Sequence, residues 1–169
     1  GHRPRPQLFA GLQRVAQVEQ DQAERPFGPV AGPLLRQGLG KRVSVGFDYR
    51  YYVDSWALWS HTIGGDLRIL ASPSLLVALE YRGYVQSGAW FYRSAYPLVP
   101  LGGFATRDRE LSPMLDHRVT AALEWSKRWS RVASGSGVLL GAAIYRYGDF
   151  LGLSQVVAAE GSWIGRLEF

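Results

Sequence analysis

The sequence lacks cysteine, contains a single methionine and has no long hydrophobic run. Without cysteine the chain can form neither a disulfide scaffold nor a cysteine-ligated zinc site. No segment approaches the roughly 20 consecutive apolar residues that cross a bilayer as a helix, which excludes a helical membrane protein. An intrinsically disordered chain is excluded as well, because 47% of the 169 residues are hydrophobic and 13% are aromatic.

A basic run is also absent, although Lys and Arg number 19 against 14 for Asp and Glu, for a net charge of +5. The arginines stand singly between apolar residues, whereas a nucleic-acid surface needs clustered basic side chains. We therefore expect no nucleic-acid partner. The chain begins at Gly1 without Met or an apolar signal core, so we expect that a leader has been removed or that a longer protein precedes it.

From residue 42 onward, apolar and polar residues alternate in segments of about 10 to 15 residues, the period of a β-strand with one apolar side. The pattern predicts six strands, at 42–54, 57–69, 75–86, 117–129, 137–149 and 155–169. Turns are predicted at 71–74 and 133–136, and a long loop at 87–113. We divide the chain into residues 1–41, a strand at Leu8 to Val18 followed by a Pro/Gly-rich connector at 20–41, and residues 42–169, an antiparallel β-meander.

Two all-β architectures fit this alternation: a soluble sandwich with its apolar face inward, and an up-and-down transmembrane β-barrel with its apolar face outward. The strands exceed the usual five or six residues, which favours the barrel. Opposite charges also recur on the polar side of successive strands and could neutralise one another inside a barrel. We predict that these side chains line the lumen: Asp48, Arg50, Asp66, Arg68, Glu80, Arg82, Glu124 and Arg128.

Aromatic residues near the strand ends form two rows in such a meander, as rings do at a lipid headgroup interface. The predicted belts contain Tyr49, Tyr51, Trp59, Tyr81, Trp125, Trp129, Tyr145 and Tyr147. The Tyr-Arg pairs Tyr49-Arg50-Tyr51, Tyr81-Arg82 and Tyr145-Arg146-Tyr147 would place the rings in the belt and the arginines in the lumen.

The C-terminal residues 163–169 alternate up to a terminal Phe169. They resemble the last strand of bacterial outer-membrane β-barrel proteins, although Ile164 stands where the family favours Gly. The resemblance implies an outer-membrane location and an assembly signal, recognised by the barrel-assembly machinery, that contains Trp163, Leu167 and Phe169.

A narrower resemblance covers about residues 42–169 and consists of Tyr49-Arg50-Tyr51-Tyr52-x-Asp54-x-Trp56, Ser60-His61-Thr62, Phe91-Tyr92-Arg93 and Arg107-x-Arg109-Glu110-Leu111-Ser112-Pro113. This motif order is similar to that of a family of uncharacterised outer-membrane proteins. It implies a membrane location and no chemistry.

Six or seven strands do not close a bacterial barrel, which has an even number from eight upward. We expect the C-terminal part of a larger barrel, or a chain completed by another polypeptide; an eight-stranded barrel with a strand hidden in the 20–41 connector is the alternative. With Phe169 at the periplasmic end, the turns become periplasmic and the 87–113 loop extracellular.

The predicted function is a non-enzymatic pore, or a structural and anchoring component of an envelope complex, in contact with outer-membrane lipid and lipopolysaccharide. Within the long loop, Trp90, Phe91, Tyr92 and Tyr96 are candidates for partner binding because they are unusually apolar. Ser60-His61 suggests an acylhydrolase with a serine nucleophile and a histidine base. Neighbouring residues of a strand point to opposite faces, however, so the two side chains cannot act together, and His61 falls on the lipid side. A soluble sandwich acting as a binding module remains an alternative. Neither a cofactor nor a metal site is predicted, since the histidines are scattered and the carboxylates alternate with arginines.

Overall fold

A computed structural model describes residues 32–95, 105–129 and 132–168. They form seven β-strands and one short 3-10 helix, at Arg109–Leu111. The strands are β1 (Leu34–Leu39), β2 (Val43–Val53), β3 (Trp59–Ser72), β4 (Leu75–Gln86), β5 (Met114–Trp129), β6 (Val132–Tyr147) and β7 (Gln155–Glu168).

The seven strands form one antiparallel sheet in the order of the chain, β1 to β7. Each strand pairs with the next one along the chain, so the prediction of an all-β antiparallel meander is confirmed. In the described part of the chain the sheet is a single layer and is not closed, with β1 and β7 as its edges. No helix among these residues is long and apolar enough to span a membrane.

The two ends of the sheet differ in the length of their connections. One, here the loop end, carries the connections 54–58, 87–113 and 148–154. The other, here the turn end, carries the tight turns 40–42 and 73–74 and the passage from β5 to β6. The long loops thus lie together at one end, as the meander predicts.

Register assigns every strand residue to one of two faces, because residues directly opposite each other in an antiparallel pair point to the same side. One row runs Phe47, Gly65, Tyr81, Val119, Ala142 and Ala159. We call the side of this row the apolar face. The neighbouring row runs Gly46, Asp66, Glu80, Thr120, Gly141 and Glu160, and its side is the polar face.

Burial on the two faces is the reverse of that in a soluble domain. The apolar face exposes large side chains across the sheet, such as Leu79 at 48%, Leu140 at 60% and Val157 at 65%. Most of the buried strand residues lie on the polar face, among them Asp116 at 5% and Glu124 at 6%. In a soluble sandwich the apolar face would be covered, but no element of the described chain covers it.

The hydrophobic core of the described residues lies instead at the loop end. Leu58, Ala89 and Tyr92 are buried there, and Tyr52, Phe91 and Leu111 pack against them. We call the packed loops 54–58, 87–95 and 105–113 the loop cap. The sheet therefore has a packed end and an uncovered apolar side.

Two details of the sequence prediction are wrong. Residues 34–39, assigned to a connector, form β1 and pair with β2. Residues 133–136, assigned to a turn because of their Ser and Gly, lie inside β6 and pair with both β5 and β7. Ladder hydrogen bonds on both sides outweigh the local turn preference of these small residues. The predicted strand at Leu8 to Val18 falls outside the described residues.

Candidate functional site

The polar face carries a chain of ionic contacts across β1 to β4. Asp66 accepts a hydrogen bond from the Arg36 guanidinium at 2.7 Å and lies 3.5 Å from Arg68 Nε. Arg68 continues to Glu80 at 3.4 Å. Nearer the loop end, Asp48 lies 4.0 Å from Arg50. Opposite charges, two pairs within a strand and two between strands, thus partly neutralise one another along this face.

Two glycines make room for these carboxylates. Gly46 pairs with Asp66 and Gly64 pairs with Asp48 in the β2–β3 register. A Cβ at either glycine would overlap the carboxylate opposite it. Both acidic side chains therefore lie flat over the neighbouring strand instead of standing away from the sheet.

Further polar-face charges lie on β4 and β5. Arg118 donates a hydrogen bond to the Tyr145 hydroxyl at 2.9 Å, and the Arg82 guanidinium lies 5.9 Å from the Tyr84 ring centroid. One buried oxygen of Asp116 and one of Glu124 have no hydrogen-bond partner. Buried polar atoms normally have partners, and these two carboxylate oxygens depart from that rule.

Register tests where the predicted lumen residues point. Seven of them share the polar face: Asp48, Arg50, Asp66, Arg68, Glu80, Arg82 and Glu124. The side chain of the eighth, Arg128, lies outside the described part of the chain. The structure brings the seven together on one surface, and their role as lumen residues stays a prediction.

Five of the predicted belt aromatics point to the apolar face: Tyr49, Tyr51, Trp59, Tyr81 and Trp125. All but Trp125 lie toward the loop end, with Trp125 toward the turn end. The Trp129 side chain is outside the described residues. Rings therefore stand on both sides of the aliphatic part of this face, with Trp125 alone toward the turn end among these five.

Histidines join the row of rings at the loop end in a repeated arrangement. The Tyr49 hydroxyl contacts His61 Nδ1 at 2.5 Å, and the Tyr81 hydroxyl contacts His117 Nδ1 at 2.8 Å. Each pair is also stacked, at interplanar angles of 28° and 25°. Trp59 adds an edge contact to His61 with centroids 5.3 Å apart.

Tyr145 and Tyr147 do not belong to the belt, and this prediction is wrong. The β5–β6 register pairs Tyr145 with Asp116 and Tyr147 with Met114, both on the polar face. Tyr147 is 9% exposed and its ring lies under the Arg109 guanidinium at 5.3 Å. Arg146, expected in the lumen, accordingly points to the apolar face.

The loop cap is held to the sheet by the buried side chain of Gln86. Its amide donates hydrogen bonds to the carbonyls of Glu110 and Ser112 at 2.7 and 2.8 Å. Ser112 is fully buried, and its hydroxyl donates to the Arg109 carbonyl at 2.6 Å. The Arg109 to Pro113 motif thus has a structural role in closing this end of the sheet.

Tyr92 is part of the cap core and is not available to a partner, which corrects its assignment to partner binding. It is 8% exposed, and its hydroxyl donates to the Asp149 carbonyl at 3.1 Å. Burial raises the pKa of the Tyr92 phenol, so the donor stays neutral. Trp90 is 56% exposed and contacts the half-buried Phe91, whereas Tyr96 lies outside the described residues.

At the C-terminus, Trp163 and Leu167 point to the apolar face and are 71% and 65% exposed. Trp163 Nε1 donates to the Ser136 hydroxyl at 2.9 Å. Phe169 is outside the described residues. The role of these residues as an assembly signal stays a prediction.

Ser60 and His61 point to opposite faces, as strand geometry requires. Ser60 is buried on the polar face beside Tyr84, whereas His61 stands among the aromatic rings. The described residues contain no group of three or more His, Asp or Glu that could hold a metal ion.

Three features of these surfaces were not predicted from the sequence: the carboxylate-facing glycines, the buried Gln86 and the outward position of Arg146. An alternating pattern assigns a glycine to a face without saying what lies opposite it. The Tyr-Arg-Tyr repeat predicted the wrong face for Arg146, because its likeness to residues 49–51 suggested that this arginine points to the polar face.

A protein-family model described as "Protein of unknown function (DUF3570)" matches residues 34–121, just over half of the chain. The matched part contains β1 to β4, the loop cap and the first half of β5. Neither the curated proteins nor the solved structures contain a match to the chain.

Proposed function

We propose that this chain, which belongs to the DUF3570 family of proteins of unknown function, forms part of a β-barrel in the outer membrane of a bacterial cell. The observation that carries the proposal is the inverted burial of the sheet, with exposed aliphatic and aromatic side chains on one face and buried charges on the other. Lipid against the apolar face would remove this surface from water.

Charge segregation supports the same conclusion. The six strand carboxylates with described side chains all lie on the polar face: Asp48, Asp66, Glu80, Asp116, Glu124 and Glu160. On the apolar face of the described strands the only Lys or Arg side chains are Arg146 and Lys127, one toward each end. Charges are costly at the centre of a bilayer and tolerated at its surfaces, which explains this distribution.

The height of the apolar band also fits a membrane. His117 and Trp125 bound it on β5 and are eight residues apart. At about 3.4 Å per residue this is roughly 27 Å of strand. A tilt of about 40° reduces the height to roughly 21 Å, close to the roughly 25 Å band of outer-membrane barrels.

Closing such a barrel requires further strands. β1 and β7 run in the same direction, since each strand is antiparallel to the next. An odd number of additional strands, each antiparallel to its neighbours, is needed to join them. A second copy of these seven strands would juxtapose parallel edges, so the completing strands come from elsewhere in the protein or from another polypeptide.

Within this frame we favour a non-enzymatic pore. The polar face would line the lumen with paired yet partly exposed charges, such as Glu80 with 41% of its side chain exposed. The hydrolase alternative lacks support because Ser60 and His61 cannot meet across the sheet.

An anchoring role in an envelope complex is the second candidate, and exposed rings on the loop cap favour it. Trp56 and Trp90 are 42% and 56% exposed and both contact Phe91. Such a cluster at the rim suits a protein partner. Loss of a co-purifying envelope protein on Trp90→Ala would support this role.

The test uses the full chain in detergent. We expect a folded form that migrates differently on a gel before and after boiling, and channel steps in a planar bilayer. Glu80→Gln should shift the reversal potential toward anion selectivity, whereas Leu79→Val, adjacent but on the apolar face, should not. A monomer that stays in water without detergent would refute the membrane proposal; inserted protein without channel steps would refute the pore and leave the anchor.

A further inference from the structure

Arg146 occupies an unusual position for an arginine. It points to the apolar face near the loop end of β6 and is exposed, next to Leu115 on β5 and Gln155 on β7. It forms no ion pair within the described part of the chain, where the strand carboxylates with described side chains lie on the opposite face. Among the described strand residues, its own face has no carboxylate that could neutralise its charge.

His117 is a diagonal neighbour of Arg146 on the same face. The register pairs Leu115 with Arg146 and His117 with Ile144. Diagonal neighbours are about 7–8 Å apart, a distance that an arginine side chain covers easily. A ligand could therefore contact both side chains.

The His117 ring is held in one orientation by Tyr81. The Tyr81 hydroxyl occupies Nδ1 at 2.8 Å, and the two rings stack. Gly83, opposite His117, permits this because a Cβ there would lie 2.9 Å from the Tyr81 hydroxyl oxygen. With Nδ1 engaged, Nε2 is the ring atom that can meet a ligand.

We infer that Arg146 and His117 bind the phosphate of a lipid headgroup, with the acyl chains along the apolar face below them. Charge complementarity selects an anion, because a cation and an imidazole stand together on a face where the described strand residues include no carboxylate. The adjoining apolar surface, with Ile144 at 37%, Val119 at 46% and Leu140 at 60% exposure, selects an amphiphile over a free ion. This inference rests on the proposed membrane location.

Native mass spectrometry of the full chain in a non-ionic detergent tests it, with phosphatidylglycerol as the probe and diacylglycerol of the same acyl chains as the phosphate-free comparison. We expect retention of phosphatidylglycerol but not of diacylglycerol. Arg146→Gln should lower retention about fivefold, the effect of one basic residue at a membrane surface, and Arg146→Lys should retain most of it. Lys127→Gln, at the other described Lys or Arg of this face, is the matched control and should lower retention less.

Equal retention of the two lipids, or equal losses for Arg146→Gln and Lys127→Gln, would overturn the inference. So would displacement of the lipid by an equal concentration of inorganic phosphate, because the occupant would then be a free anion. The boiling-dependent gel shift is recorded on the same samples. If the shift is present and lipid retention is unspecific, the headgroup site fails and the membrane proposal stands; if the shift is absent, the proposed location itself fails.

Discussion

A charge placed on either side of one strand provides the sharpest test of which face meets lipid. Ala121 and Ala122 are consecutive residues of β5, midway between the ring rows marked by His117 and Trp125. Ala121 points to the apolar face between Leu79 and Leu140, and Ala122 to the polar face. Replacing each by Arg makes the same chemical change at the same depth.

The expected energies differ strongly between lipid and water. Arg at the midplane of a membrane barrel costs about 2–4 kcal/mol, which is roughly a 30- to 700-fold loss in the folding equilibrium constant. On a solvated surface the same substitution stays within about 0.5 kcal/mol. Ala122→Arg introduces a side chain within reach of Glu80 and Glu124 on the polar face, so we expect little loss there.

The assay is urea unfolding of the chain folded into phospholipid vesicles, with the folded fraction read from unboiled gels. We expect Ala121→Arg to lose about 2–4 kcal/mol relative to Ala122→Arg. Equal stabilities, or the reverse order, would refute the assignment of the apolar face to lipid. Unchanged stability of both variants in detergent-free buffer would favour a soluble sheet.

Three further predictions concern the loop end. Gln86→Leu removes both hydrogen bonds to the loop cap and deprives the carbonyl of the buried Ser112 of its donor, so we expect a loss of about 2 kcal/mol and faster proteolysis within 105–113. Uncut loops would contradict this role. Gly83→Ala should displace the Tyr81 hydroxyl from His117 and change the imidazole NMR shifts of that residue, and unchanged shifts would argue against the contact. Burial raises the pKa of Tyr92, so as the pH rises above about 10 the phenol ionises in the unfolded chain before it does in the folded one. The free energy of unfolding therefore falls from that pH upward. Tyr92→Phe should reduce this alkaline loss, measured as the urea midpoint against pH.

Much of the fold was predictable, because a strand with one apolar and one polar face has apolar residues at alternate positions of its sequence. The alternation of Val43, Val45 and Phe47 with polar residues indicates both the strand and its apolar side. The presence of ion pairs between strands was predictable, because opposite charges recur at similar positions along successive strands. The identity of the partners was not, because it depends on the register. Asp66, for example, pairs with Arg36 of β1, a strand that the sequence analysis missed.

The sequence failed where both faces of a strand are similar. In β6 the run Gly141-Ala142-Ala143-Ile144 contains small or apolar residues on both sides, so no local signal says which residue points outward. Pairing with β5 decides this, because a shift by one residue would exchange the faces of the whole strand. The register therefore decides that Tyr145 points to the polar face and Arg146 to the apolar face, the reverse of the sequence prediction.

By itself, then, the sequence determined that the chain is an antiparallel meander with one apolar and one polar side, since side-chain periodicity is a local property of the strand. Only the tertiary structure decided that the polar side is the buried one and that Arg146 stands outside it. Both depend on how seven strands align and which face they leave uncovered, which is a property of the assembled sheet.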